Sequence, residues 1–238
     1  MNETKPLAGR VALVTGASRG IGAAVGKAYA KAGAHVVLTA RNTAALEQID
    51  DEIRTAGGSA TLLPLDLLDH DKIDTLGPAL AEKFGRLDIF VGNAGMLGAL
   101  TPLGHVQAKE WDRVIDLNLN ANFRLVRTLD PLLRASDAGR VIFVTSGAAE
   151  GFRAYWGAYA VSKAGLEALA RSYKAETEKT NLRVNLVDPG RVRTKMRAEA
   201  YPGEDPEMLA TPEELTALFI ELASPACNMH GERVRAQG

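Results

Sequence analysis

The chain has a single cysteine, Cys227, among 238 residues. That excludes an internal disulfide and points to a reducing compartment, the cytoplasm. Histidine is scarce too: His35, His70, His105 and His230 stand apart, with no Cys or carboxylate spacing of a metal site, so no metal is expected. No apolar run approaches the roughly 20 residues of a membrane span. The opening MNETKPLAGR lacks the apolar core of a secretory leader. A net charge of −1 gives no bulk attraction to nucleic acid or to membrane surfaces. Repeats, low-complexity tracts and linkers are also missing. These absences leave the expectation of a soluble, cytoplasmic single domain over residues 1–238.

What is present is a regular alternation. Hydrophobic residues make up 46% of the chain, ample for a buried core. Short apolar runs at Arg10–Thr15, His35–Ala40, Ala60–Leu65, Leu87–Val91, Val141–Thr145 and Arg183–Val187 read as strands. Helical patterns lie between them at Ile21–Ala32, Thr43–Ala56, Asp69–Phe84, about Gln107–Arg134, and in the run carrying Lys163. A last helix is expected from about Pro212 to Ala223, and a seventh strand just before the end. Strands apolar almost throughout imply burial on both faces. The expected fold is therefore α/β: a doubly wound, mainly parallel Rossmann-type sheet of about seven strands with helices on both faces. The irregular stretch at about 194–212 is expected to be a substrate flap.

Between the first strand and helix lies Thr15-Gly16-Ala17-Ser18-Arg19-Gly20-Ile21-Gly22. Glycines there permit a tight turn, a close approach of backbone N–H groups to a phosphate, and close helix packing. The spacing is not the Gly-x-Gly-x-x-Gly fingerprint, and alone it also describes an ordinary turn. At the end of the second strand, where an acid would hold the ribose 2′-OH of NAD, the chain reads Thr39-Ala40-Arg41-Asn42. Guanidinium groups at Arg41 and Arg19 suit a 2′-phosphate, which favours NADP(H) over NAD(H); the competing reading is two solvated surface arginines.

A second constellation lies at Ser146–Lys163, SGAAEGFRAYWGAYAVSK. Ser146 falls at a strand end, where open parallel sheets place their chemistry. Tyr159 and Lys163 are four apart and share a helix face. A hydroxyl, a phenol and an ammonium in one crevice can move a proton to or from an oxygen.

Together, TGASRGIG at Thr15–Gly22, GNAG at Gly92–Gly95, Tyr159-Ala160-Val161-Ser162-Lys163, and Ser146 thirteen positions before Tyr159 resemble the single-domain short-chain dehydrogenase/reductase family. The resemblance spans essentially the whole chain. WGAYAVSK from Trp156, NLNANF from Asn118 and RTKMRAEAYPGEDP from Arg193 are similar to its bacterial YciK-like branch.

The resemblance implies a hydride transfer between NADP(H) and a small carbonyl or alcohol substrate. It implies that Tyr159 is the proton donor or acceptor, Lys163 binds the nicotinamide ribose and lowers the tyrosine pKa, and Ser146 bonds the substrate oxygen. It places Asn118 at a proton-relay water, with Asn120 and Asn122 as helix-surface residues. Asp66 and Leu67 would meet the adenine, and Asn93, Ala94 and Gly95 would lie along the cofactor. Pro189, Gly190, Val192 and Thr194 would meet the carboxamide. A homodimer or homotetramer through the long helices is also implied. A free phenol titrates near 10; carrying it to neutrality takes about 4 kcal/mol, which the ammonium and an oxidised nicotinamide would share. Tyr155 lacks a lysine four residues on, and Ser162 reads as a packing residue. The substrate pocket is expected from Gly147–Trp156, Met96–Leu100 and the flap, with Trp156 as an apolar wall and Arg153, Arg191 and Arg193 as candidate positive charges or plain surface residues. A non-catalytic NADP(H) sensor on the same fold is the alternative function.

Overall fold

The structure, a computed structural model, describes residues 5–151 and 153–237. Phe152, in the expected substrate wall, and Met1–Thr4 and Gly238 of the expected domain lie outside the described residues.

Seven parallel strands form one sheet in the order β3-β2-β1-β4-β5-β6-β7. They are β1 (Val11–Thr15), β2 (His35–Ala40), β3 (Ser59–Pro64), β4 (Ile89–Gly92), β5 (Arg140–Val144), β6 (Arg183–Asp188) and β7 (Arg233–Arg235). The main helices are α1 (Gly20–Lys31), α2 (Thr43–Thr55), α3 (His70–Asp74), α4 (Leu76–Phe84), α5 (Ala108–Ile115), α6 (Ala121–Arg134), α7 (Gly157–Glu176), α8 (Lys195–Ala200) and α9 (Thr216–Ala223). Alternate strand residues serve opposite layers, as the two-residue pleat demands. Ala12, Val14, Val36 and Leu38 pack beneath α1, α2 and α9 through Tyr29, Leu46 and Phe219. Leu13, Val37, Phe90 and Phe143 pack beneath α4, α6 and α7 through Leu80, Leu129 and Leu166. Burial on both faces is what the continuous apolar runs required. No helix of the described residues is long and apolar enough to cross a membrane.

Two helical stretches differ from the sequence expectation, each for a local reason. Asp69–Phe84 is split at Thr75 into α3 and α4. Pro78 has no N–H to give the Asp74 carbonyl; the Thr128 hydroxyl donates to that carbonyl instead, at 3.1 Å, and accepts from Gly77 N–H at 3.1 Å. The long helix from Gln107 widens at Asp116–Asn120 into one π-helical turn. Such turns insert a residue into the helical register and re-aim its side chain; here the residue re-aimed is Asn118.

The strand order reverses between β1 and β4, and the loops leaving them diverge to opposite layers. That divergence opens a crevice at the carboxyl edge of the sheet, the place where open parallel sheets bind ligands.

Candidate active site

The crevice is a cavity of about 1050 Å³ running from the glycine turn past β4 and β5 to the flap. Of the residues singled out in the sequence, Gly16, Ser18, Arg19, Gly20, Ile21, Arg41, Asp66 and Leu67 line one end. Asn93, Ala94, Gly95, Ser146, Tyr159, Lys163, Pro189, Gly190, Val192 and Thr194 line the middle and the other end. Gly22 and Asn118 are not on its wall.

Gly22 is behind the turn because it is a packing position. A Cβ there would stand 2.3 Å from the Gly16 carbonyl and 2.5 Å from Asn93 Nδ2. Gly16 has φ +65°, open to glycine at no steric cost. The Thr15 hydroxyl, which sequence reasoning missed, locks the turn to β4: it donates to Val91 O and accepts from Asn93 and Ala94 N–H at 2.9 and 3.0 Å. Asn93 spends its amide on Thr15 O at 2.8 Å, so its side chain supports the turn rather than facing a ligand. Arg19 is the N-cap of α1 in extended conformation and supplies no side-chain cap, which leaves the first-turn N–H groups of α1 without a side-chain acceptor. Arg19 and Arg41 are exposed on the wall and pair with no acid among the described residues. Lys27, on the same wall, is matched by Glu52 at 2.9 Å. Asp66 Oδ1 accepts from Leu68 N–H at 3.1 Å, which fixes the loop after β3 beside buried Leu67.

At the other end, Ser146 leaves β5 and accepts from Ala148 N–H at 3.2 Å. Tyr159 and Lys163 descend from the first turns of α7, both buried. Lys163 Nζ donates to Val144 O at 2.8 Å and lies 5.8 Å from the centre of the Tyr159 ring. Burial pushes the Tyr159 phenol up to about 12; its hydrogen bond with Ser146 pulls it down, and the Asp188 charge raises it. Burial also pushes the Lys163 ammonium down to about 8. The lowered tyrosine pKa expected from the sequence is thus not produced by the chain's own groups. Removing the phenolate from water outweighs the help of the hydroxyl, leaving the phenol a proton donor across the neutral range.

Asn118 stands one layer back. Its amide donates to Met96 O and Ser162 Oγ, both at 2.9 Å, and accepts from Met96 N–H at 2.8 Å. All of this ties the loop after β4 to α7. Ser162 is therefore more than packing: it relays that tie to the Tyr159 carbonyl at 2.7 Å. Asn122, expected on the helix surface, is buried and donates to the Asn118 carbonyl at 2.9 Å, because the π turn rotates it inward. Asn120 is held by Asp116 on its own helix. Tyr155 adopts φ +73° and stays exposed, its carbonyl accepting from Thr101 N–H.

Sequence reasoning also missed a charge cluster beneath the site. Arg233 of β7 donates to Glu167 at 2.8 Å, Asp188 at 3.0 Å and the Ser146 carbonyl at 3.2 Å. Glu167 accepts from the Thr145 hydroxyl at 2.8 Å, and Asp188 from Gly190 N–H at 3.2 Å. Gln237 then donates to Pro189 O and Arg191 O. One signal was available: Glu167 follows Lys163 by one helical turn, an acid on an inward face.

Arg191 and Arg193, open in the sequence as candidate positive charges or plain surface residues, are both engaged in ion pairs. Arg191 and Arg197 both pair with Glu204, and Arg193 pairs with Glu207 at 3.0 Å. Arg197, with Arg191 beside it, holds the Glu204 carboxyl down at about 2. Arg153 lies off the cavity wall and donates to Tyr201 Oη. Trp156 is the apolar wall expected, its ring 5.9 Å from Tyr159 and 5.8 Å from Tyr201.

A doubly wound parallel sheet with a glycine turn at its switch point and a Ser–Tyr–Lys group across the crevice defines a Rossmann-type oxidoreductase. More narrowly, the chain belongs to the short-chain dehydrogenase family, whose model matches residues 10–205. It is 40% identical over 216 residues to the oxidoreductase YciK of Escherichia coli K12, covering 90% of this chain and 85% of YciK. Among solved structures, it is similar to a Shigella flexneri short chain dehydrogenase complexed with NADP (37% identity, 99% of this chain and 100% of that one, TM-score 0.95). An Escherichia coli CFT073 short chain dehydrogenase complexed with NADPH matches equally well (38% identity, the same coverage, TM-score 0.95).

Proposed function

We propose that the protein is an NADP(H)-dependent oxidoreductase acting on a carbonyl or alcohol group, with Tyr159 moving the proton. The observation that carries this is the buried Tyr159–Lys163 pair beside Ser146, on the wall shared with the glycine turn. The residues fit a phosphorylated dinucleotide. Gly16 and Gly20 bring bare backbone to the cavity wall, α1 offers N–H groups with no side-chain cap, and Arg19 and Arg41 carry uncompensated charge where a 2′-phosphate would lie. Asp66 and Leu67 would frame the adenine, and the Pro189–Thr194 loop the carboxamide. When bound, the nicotinamide supplies or accepts the hydride. For the chain's part, Ser146 holds the substrate oxygen, Tyr159 protonates it in reduction, and Lys163 positions the ribose. Asn118 keeps the Met96 backbone and α7 in register. The NADP and NADPH complexes of the two similar dehydrogenases support the cofactor choice.

The same reading makes the chain one domain with a flap at 194–212, working in the cytoplasm, where its buried lone thiol stays reduced. It associates with itself across α6 and α7, where Phe123 and Val161 are about half exposed.

An NADPH-oxidation screen over aldehydes, ketones and quinones tests the activity. Tyr159→Phe should lose about 10²–10⁴-fold in kcat while keeping NADPH affinity; undiminished turnover sinks the assigned role. Arg41→Ala should weaken NADPH binding by about tenfold or more and spare NADH. A wild type that binds NADH more tightly than NADPH contradicts the cofactor reading.

A further inference from the structure

The cavity is polar at the glycine turn and changes character beyond Tyr159. Leu97, Ala148 and Tyr159 form a small buried apolar cluster of their own, separate from the two layers that flank the sheet. Leu100, Trp156, Met196 and Ala200 pack against it. From there a chain of flat groups leads into the flap: Tyr159 edge-on to Trp156, Trp156 tilted against Tyr201, then the Arg197 guanidinium 3.8 Å over the Tyr201 ring. The flap segment 191–207 is rich in charge, with four cations and four acids. Each of its four cations has an acid partner among the described residues, three acids in all, with Glu204 shared by two guanidinium groups. Glu204 bonds Arg197 through both carboxylate oxygens and also takes Arg191. Glu207 meets Arg193, and Glu199 lies 3.9 Å from Lys195. Arg193 Nε is buried without a hydrogen-bond partner, yet the charge of that group is answered at Nη1.

The pairing decides what this end of the cavity can accept. An anionic substrate reaching the flap side would leave water for an apolar wall whose flap cations already hold acid partners, and a poorly paired buried charge is costly. Glu204 stands behind that wall, its side chain only 16% exposed and fixed by two guanidinium groups, of which Arg197 lines the cavity. A neutral body would instead stack on Trp156 and fill the apolar wall.

We propose that the substrate is an uncharged carbonyl compound with an apolar, preferentially aromatic body, and that Glu204 sets this specificity by holding Arg197, on the cavity wall, in an ion pair. This rests on the carbonyl-reduction reading above and narrows it. Glu204 is a specificity-determining residue and takes no part in the chemistry.

The test is the NADPH-dependent reduction of p-tolualdehyde and p-carboxybenzaldehyde, which share shape and differ in charge. Wild type should favour the tolualdehyde in kcat/KM by about tenfold or more. Glu204→Gln, which frees the Arg197 charge on the cavity wall, should narrow that ratio by about threefold or more through faster turnover of the carboxylate. Trp156→Ala should lower kcat/KM for the tolualdehyde and spare the carboxylate. A wild type that favours the carboxylate overturns the proposal, whether or not the Gln variant folds; so does an unchanged ratio in a folded Glu204→Gln. If neither aldehyde is turned over, the failure falls on the activity. The specificity is then read by titrating benzamide and benzoate into the NADPH-loaded protein. Tighter benzamide binding supports the proposal; tighter benzoate binding, or binding of neither, overturns it.

Discussion

Tyr159 and Lys163 are two poor ions held in a place where water does not reach them. Burial moves each toward its neutral form: the phenol, net of the Ser146 hydrogen bond and the Asp188 charge, to about 12, and the ammonium to about 8. At neutral pH the pair is therefore a phenol next to an ammonium, the right protonation for delivering a proton to a carbonyl. With the phenol titrating far above it, the alkaline limb of the reductive rate belongs to Lys163. Activity should hold to about pH 8 and decline above it, and Lys163→Arg, charged throughout, should move that limb upward however slow the variant is. The same burial has a stability consequence. The folded Lys163 pKa lies below the 10.5 of a free lysine, so the unfolded chain holds the proton more tightly. The cost is full below about pH 8 and fades as pH rises toward 10.5. Lys163→Met should thus raise stability at pH 7 by about 1–3 kcal/mol while activity collapses, with the gain shrinking above pH 8. Thermal melts at pH 7 and pH 10 check both the sign and the window.

At the scale of elements, the site is a matter of strand ends being brought to the right height. The π turn delivers Asn118 to the Met96 loop, and β7 delivers Arg233 beneath Ser146 and Gly190. β7 is only three residues long, and its arginine joins β5, β6 and α7 through Ser146, Asp188 and Glu167. Arg233 is a positioning residue. It also pairs with Asp188, whose charge raises the Tyr159 phenol. Arg233→Met leaves buried Asp188 without a cation, while Glu167 keeps Arg171 at 3.0 Å, and should cost about 3–5 kcal/mol of stability. It should also shift the rising limb of alcohol oxidation, where Tyr159 must lose its proton, to higher pH, with partial rescue by Arg233→Lys. A purely structural role would lower the melting temperature and leave the pH profile in place.

At the scale of the whole molecule, the two edges of the sheet are built for different ends. The carboxyl edge keeps buried titratable groups poised in a cavity. The amino edge buries charge only to hold strands together. There Asp88, 1% exposed, accepts from Val11 N–H at 2.8 Å and from Ser136 Oγ at 2.6 Å, and lies 3.8 Å from buried Arg10. Arg10 in turn donates to the Ala138 carbonyl. The cluster fastens β1, β4 and β5 at the end remote from the chemistry. Asp88→Ala should destabilise the fold by about 3–5 kcal/mol in chemical denaturation. The KM values of folded enzyme should stay unchanged, since no residue of the cluster lines the cavity.

Much of this was legible in the order of residues. Runs such as VIFV at 141–144 are apolar at every position, and only a strand covered on both faces removes all of them from water, so sheet and layers followed from pattern. Gly16 and Gly22 announced a close approach, and the four-residue step from Tyr159 to Lys163 announced a shared face, because both are properties of local backbone geometry. What the sequence did not carry is whatever depends on partners distant along the chain. Asn122 turned inward through a π turn that no local pattern marks. The Tyr159 phenol rose because the surrounding layers exclude water from it. The flap arginines, open charges in the sequence, were neutralised by acids that folding laid against them. Local geometry determined which groups could do chemistry here; only tertiary packing decided their solvation and their charge, because both are set by what stands next to a side chain in space.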